Sequence, residues 1–334
     1  MSYWYSVTAP QCDIAVSTRV RLARNISGIP FPSKMTAEQF CAVNEAVRKA
    51  ISDSDNPIAK TLTYIAMEDI PELERFAMVE RHIISHRFAS NYQNRAIILS
   101  EDESICIMLG EEDHIRVQVL LAGMQFEKAY QIADCVDSLL CESLDIAFDE
   151  RIGFLTECPT NLGTGLRSSV MLHLPLIENH GEIPSLSDSI NKIGLTMRGM
   201  YGEGTKALAS LYQISNQVTL GISETNSIDN LKIIATQLIQ KEQDYREQLN
   251  RIKIEDRCMR ALGILKNARI ISSNEMMSRL SDIMLGATIG VVNCNVSPIK
   301  LIIEGQPNML MRKFGNLSPD ERDIERANMI RNLL

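Results

Sequence analysis

A change of hydrophobic period near Leu220 divides this chain more sharply than any other feature. Upstream, short alternating or apolar runs at Ala15–Leu22, Ala96–Leu99, Ile105–Leu109, Ile115–Leu120 and Ser168–Leu174 are separated by Gly, Pro, Asn and acidic turns, the pattern of strands. Helical spacing is interspersed at Ala37–Ser52 and Phe126–Leu144. Downstream, Ile228, Leu231, Ile234, Leu238 and Ile239 recur at helical intervals and lead into the charged run KEQDYREQLNR, which reads as a solvated helical face. Ser272-Ser273-Asn274-Glu275 opens a further helix with a capping-box pattern, and Ser318-Pro319-Asp320-Glu321 opens another with Pro at its first position. The division is placed near residue 245, giving 1–245 and a helical 246–334.

A length of 334 residues fits about two domains. Lys and Arg total 34 against 42 Asp and Glu, so the net charge of −8 argues against general attraction to nucleic acid or an anionic membrane. Any anion site must be local. Of the basic residues 22 are Arg, whose guanidinium forks grip phosphate and carboxylate oxygens bidentately. The most apolar stretch, Ile283–Val296, is short and broken by Gly286, Gly290, Asn293 and Cys294, so no membrane span is expected. The N-terminus lacks a basic segment followed by an apolar one. Eight scattered Cys show no metal-ligand spacing, which suits reduced thiols in a cytoplasmic protein without a metal site of its own.

Four segments carry candidate chemistry. In Ser17-Thr18-Arg19-Val20-Arg21-Leu22, a strand's two-residue period puts Ser17, Arg19 and Arg21 on one face, an arrangement that alone also fits a solvated polar face. Ile115-Arg116-Val117-Gln118-Val119 repeats the pattern directly after Gly110-Glu111-Glu112-Asp113-His114. Cys158-Pro159-Thr160-Asn161-Leu162-Gly163-Thr164-Gly165 forms a turn whose backbone could approach a ligand. It precedes a strand in which Arg167, Ser169, Met171 and His173 share a face. Arg198-Gly199-Met200-Tyr201-Gly202-Glu203-Gly204-Thr205 combines Arg, Gly and a carboxylate in an expected mobile loop, which also fits a surface turn.

In combination STRVRLARN, GEEDHIRVQ, CPTNLGTGLRSSV and RGMYGEGT resemble the catalytic domain of the ATP:guanido phosphotransferases. The resemblance is closer to bacterial protein arginine kinases than to creatine or small-molecule arginine kinases. YGEGT stands where the latter usually carry a GEH-type sequence, RDIERA occurs at Arg322–Ala327, and no helical domain stands before Ser17. It implies an α+β fold, an antiparallel sheet flanked by helices, followed by a helical C-terminal domain suited to self-association as a homodimer or larger oligomer. Arg-Ala-Ser is common where this chain has Arg167-Ser168-Ser169, and the extra hydroxyl should face away from Arg167.

The resemblance assigns ATP to Ser17, Thr18, Arg19, Val20, Arg21, Arg116, the segment Arg167, Ser168, Ser169, Val170 and Met171, and Arg198, Gly199, Met200, Tyr201, Gly202 and Glu203. His82 matches a further nucleotide contact, and a structural histidine fits it nearly as well. Mg²⁺ would be held largely by phosphate oxygens and water. Glu112 matches the catalytic base and Glu203 the second carboxylate clamp on the acceptor, while Glu111 and Asp113 would orient the turn. Cys158 matches the reactive cysteine, with a buried small residue as its alternative. Arg322, Asp323 and Arg326 are read as sharing one exposed helix face that binds phosphoarginine, or else as a surface salt bridge.

The implied activity is ATP-dependent phosphorylation of accessible protein arginines, marking clients for Clp-type degradation in bacterial stress response. A zinc-binding activator, a heat-shock repressor and a Clp unfoldase are the implied partners. The alternatives are a small-molecule guanidino kinase and a non-catalytic phosphoarginine-binding adaptor.

Overall fold

The computed structural model describes residues 3–7, 13–200, 208–294 and 296–334. Its strands are β1 (Ala15–Arg24), β2 (Leu62–Ala66), β3 (Ala96–Ser100), β4 (Ile105–Leu109), β5 (Ile115–Ala122), β6 (Phe148–Asp149), β7 (Gly153–Phe154), β8 (Leu166–His173), β9 (Leu195–Gly199) and β10 (Leu211–Asn216). The helices of the first part are α1 (Ala37–Ser52), α2 (Glu72–Glu80), α3 (His86–Ser90), α4 (Phe126–Ser143), α5 (Pro175–Asn179), α6 (Ile183–Lys192) and α7 (Glu224–Glu247). Then follow α8 (Arg251–Asn267), α9 (Ser273–Thr288), α10 (Pro298–Glu304), α11 (Pro307–Phe314) and α12 (Pro319–Leu333).

Eight strands form one antiparallel sheet in the order β2-β3-β4-β5-β1-β8-β10-β9, and β6 pairs only with β7. On the back of the sheet, Val20, Val117, Val170 and Ile214 pack with Phe126 and Val136 of α4 and Leu231 of α7, all buried. The amphipathic α1 adds Val43 and Val47, and its start is fixed by a capping box between Thr36 and Gln39.

Among the described residues, apolar clusters cover the front face at its two ends. Met78, Ile83 and Phe88 close over Ile97 and Met108 at one end, while Met276, Leu280 and Ile302 of the C-terminal helices cluster with Leu120 and Met171 at the other. Between these two apolar lids the front of β5, β1 and β8 carries arginines. Trp4 and Tyr5 belong to the second cluster. His173 of β8 joins Ser281 of α9 through Nε2 and Oγ at 2.8 Å, and burial pushes its pKa down to about 3, so it is neutral at pH 7.

Three local expectations change. Glu242, inside the charged run read as solvated, is fully buried because its carboxylate accepts the Leu176 and Ile177 N–H groups, each at 3.0 Å, at the start of α5. Ser272 accepts from Glu275 N as the N-cap of α9, but the full reciprocal box occurs at Ser318 and Glu321. Arg198 stands on β9 rather than in a loop.

Candidate active site

The register of β1 decides the site. Arg21 lies opposite Arg167 of β8, Arg19 opposite Ser169 and Ser17 opposite Met171. On the other side Ala23 meets Arg116 of β5, and β10 places Gln213 between Met171 and Arg198. Directly opposed residues share a face, so Ser17, Arg19, Arg21, Arg167, Ser169, Met171, Gln213 and Arg198 all stand on the front. Thr18, Val20, Ser168 and Val170 point to the back. Thr18 is fully buried there, its Oγ1 donating to Gly123 O at 2.7 Å and accepting from Gln125 N at 3.0 Å. Any nucleotide contact from these four residues is through backbone.

The guanidinium groups of Arg19, Arg21 and Arg116 differ in how they are answered. Arg116 pairs with Glu111 at 2.6 Å, and Arg19 Nη2 donates to the neutral Gln213 Oε1 at 2.6 Å. Arg21 Nε is buried with no hydrogen-bond partner. Burial, then the charges of Arg116 and Arg167, push Arg19 down to about 10, and burial with Arg19, Arg116 and Arg167 depresses Arg21 strongly. Guanidinium stays charged at neutral pH, so the shifts express crowded, underpaired positive charge. Such a surface fits a polyanion. His82 completes a small cavity with Ser17, Arg19, Ser169 and Gln213. Burial and Arg19 push it down to about 3, leaving it neutral.

Next to these arginines lie two adjoining cavities that share Glu112 and Cys158. One, of about 70 Å³, is lined by Arg21, Arg116, Arg167 and Asn161. The other, of about 190 Å³, is lined by Glu111, Glu157, Arg87 and Arg95. Glu111 is engaged: its carboxylate accepts from Ser85 Oγ at 2.7 Å, from Glu112 N at 2.8 Å and from Arg116. These contacts hold its pKa below the usual range despite burial. Asp113 braces the turn by accepting Asn25 Nδ2 at 2.7 Å and Glu157 N at 2.8 Å. Among the described residues the Glu112 carboxylate has only a long contact from Asn161 Nδ2, at 3.4 Å. Cys158 is half-buried, its Sγ 3.0 Å from Thr160 Oγ1.

The glycines of the Cys158 loop also pack against neighbouring backbone. Gly165, at φ +64°, passes so close to β1 that a Cβ would sit 2.6 Å from Ala23 O and from Arg24 Nη1. The absence of a side chain at Gly165 thus lets two backbone segments pack closely. Gly199 closes β9 and Met200 is buried in the second cluster. Tyr201, Gly202 and Glu203 lie outside the described residues, and the second carboxylate clamp lies there with them.

The RDIERA segment is corrected. Arg322 and Asp323 are half-buried on α12, but Arg326 is buried and does not share an exposed face with them. Its Nε donates to Gly305 O at 2.7 Å and its Nη1 to Ile271 O at 2.8 Å and to Asp323. These partners tie α9, α10 and α12 together. Sequence reasoning also missed Gln213, Ser85 and Glu157. Each is an isolated polar residue whose significance comes from its neighbours across the sheet or turn.

Residues 42–245 match the family model described as "ATP:guanido phosphotransferase, C-terminal catalytic domain", and residues 251–334 match "Protein-arginine kinase McsB C-terminal domain". A protein named "Protein-arginine kinase" from Brevibacillus brevis is 44% identical over 343 residues, covering 100% of this chain and 95% of its own. Another of that name, from Caldanaerobacter subterraneus subsp. tengcongensis, is 43% identical over 323 residues, covering 95% and 96%. The duplicated taurocyamine kinase from Schistosoma mansoni with bound transition state analog components superposes with a TM-score of 0.62 at 28% identity, over 71% of this chain and 34% of that one. Lombricine kinase has the same fold, with a TM-score of 0.62 at 22% identity over 74% of this chain and 70% of that one.

Proposed function

The chain belongs to the ATP:guanido phosphotransferase family, and we propose that it transfers the γ-phosphoryl group of ATP to arginine side chains of proteins. The observation that carries this reading is the pair of adjoining cavities, one dominated by guanidinium groups and one bearing carboxylates, with Glu112 and Cys158 common to both. A triphosphate suits the first and a cationic acceptor the second, so the group to be moved sits at their junction.

Arginine is a poor nucleophile because its guanidinium is charged and delocalised. Glu112, weakly engaged in the protein, can align one terminal nitrogen and take its proton as the N–P bond forms and the bond from the γ-phosphorus to the ADP oxygen breaks. Arg19, Arg21, Arg116 and Arg167 offset the charge that develops on the phosphoryl and leaving oxygens. Mg²⁺, when bound with ATP, supplies further charge neutralisation. Among the described residues no group of three or more His, Cys, Asp or Glu could hold a metal.

Protein clients with accessible arginines are the acceptors in this reading. A zinc-binding activator, a heat-shock repressor and a Clp-type unfoldase are the partners, in a cytoplasmic stress setting. Phosphoarginine is sensed at Arg322 and Asp323 while Arg326 holds their helix. Similarity along the whole chain to proteins named protein-arginine kinase supports it. No described helix is long and apolar enough to cross a membrane, and the seven described cysteines are free.

The test supplies ATP·Mg²⁺ with an unfolded Arg-rich protein, free arginine or creatine, and measures acid-labile phosphate. Transfer to the protein is expected, and Glu112→Gln should lower it at least ~10²-fold while nucleotide binding persists. Transfer only to free compounds selects a small-molecule kinase. Phosphoarginine binding without transfer selects an adaptor.

A further inference from the structure

Three carboxylates line the larger cavity, and they differ in what they have left to give. Glu111 is occupied by Ser85, Arg116 and the Glu112 N–H. Glu112 faces both cavities. Glu157 belongs to the larger one alone, and among the described residues its only side-chain hydrogen bond is a long one from Ser33 N, at 3.4 Å. Its backbone is nonetheless fixed: Glu157 N donates to Asp113 Oδ1 at 2.8 Å, and Thr156 Oγ1 to Cys158 O at 2.8 Å. Across the cavity Arg95 is committed to backbone carbonyls, with Nε donating to Gly110 O at 2.5 Å and Nη1 to Asn91 O. Among the described residues no ion pair to Glu157 forms. The pocket therefore holds, on a fixed backbone, a carboxylate with open acceptor capacity, in a lining that it shares with Arg87 and Arg95 and not with Arg21, Arg116 or Arg167.

We propose that Glu157 is a specificity-determining residue for the acceptor, gripping the edge of the incoming guanidinium that Glu112 does not. A guanidinium presents five N–H donors on a planar fork, more than one carboxylate can satisfy. Glu112 takes the reacting nitrogen, and Glu157 takes donors that persist unchanged through the transfer. Its contribution is binding common to ground and transition states, which appears in KM rather than kcat. The same charge disfavours free guanidino acids, which carry a carboxylate of their own, whereas an arginine within a polypeptide does not.

This inference rests on the reading of the site as a protein-arginine kinase, and the experiment separates the two. Steady-state transfer is measured for wild type, Glu157→Gln and Glu157→Asp, with an Arg peptide and with free arginine. For Glu157→Gln the peptide KM should rise roughly tenfold, the worth of one charge-assisted contact. Its kcat and KM for ATP should stay near wild type, and the preference for peptide over free arginine should narrow. Glu157→Asp should recover part of the peptide KM. An unchanged peptide KM, or a change confined to kcat or to ATP, overturns the role of Glu157 and leaves the kinase reading intact. Wild type that transfers to free arginine and not to the peptide overturns both.

Discussion

The buried arginines and the cleft arginines of this protein are the same residue type under opposite conditions. Arg24, Arg81 and Arg326 have side chains 1% exposed, and each is answered. Arg24 reaches Asp137 at 2.7 Å and the carbonyls of Ala23 and Thr164, and Arg81 sits between Glu103 and Glu74. Arg326 is held by two carbonyls and Asp323. In the cleft, Arg19, Arg21, Arg116 and Arg167 crowd one another and leave Arg21 Nε with no partner. A paired buried guanidinium is a fastener. Like charges crowded at the edge of a cavity cost stability, and a polyanion bound there would offset that cost.

Arg21→Met probes the cleft most strongly. Phosphoryl transfer should fall by about 10²-fold or more, as for loss of one donor to developing charge. The ligand-free protein should melt no lower than wild type, because a repelled charge is gone, while the rise in Tm given by ATP shrinks. A large fall in the ligand-free Tm would place Arg21 with the fasteners. Arg24→Met probes the other set. It strands the Asp137 carboxylate, and denaturant titration should register a loss of about 3–5 kcal/mol; a loss near zero would break the distinction.

The smallest effect tests whether the rule extends beyond charge. Ser168 is fully buried on the back of β8, and its Oγ has no hydrogen-bond partner. Ser168→Ala should raise stability by about 1 kcal/mol in the same titration, with activity retained. A destabilised variant would mean that this hydroxyl is satisfied after all.

Periodicity made part of this legible. The two-residue period of β1 placed Ser17, Arg19 and Arg21 together, and α1 and β4 have the bounds that their spacing predicts. Glu112 is singled out because GEEDHIRVQ, together with the other three motifs, resembles the ATP:guanido phosphotransferases. The rest depends on partners far away in the chain. Spacing puts Arg322 and Arg326 on one side of a helix, but which side is buried is set by Gly305 and Ile271. Glu242 reads as one charge among many until Leu176 and Ile177 are brought to it. The short strand β9 is hidden because Arg198 and Gly199 begin what looks like a glycine loop, and its pairing comes from β10.

Glu80 adds a consequence for how the two halves communicate. Its carboxylate accepts from Asn308 N at 3.0 Å, Asn308 Nδ2 at 2.6 Å and Met309 N at 2.8 Å, closing the first turn of α11. Two residues on, His82 faces Arg19 and Gln213, and the intervening Arg81 carbonyl accepts from Trp4 Nε1 at 3.0 Å. The imidazole thus hangs from a peptide whose footing is a helix of the far lobe. A displacement of α11 must either tear three hydrogen bonds or drag that footing with it, so the lobe at the C-terminus has a mechanical purchase on the cavity beside Arg19.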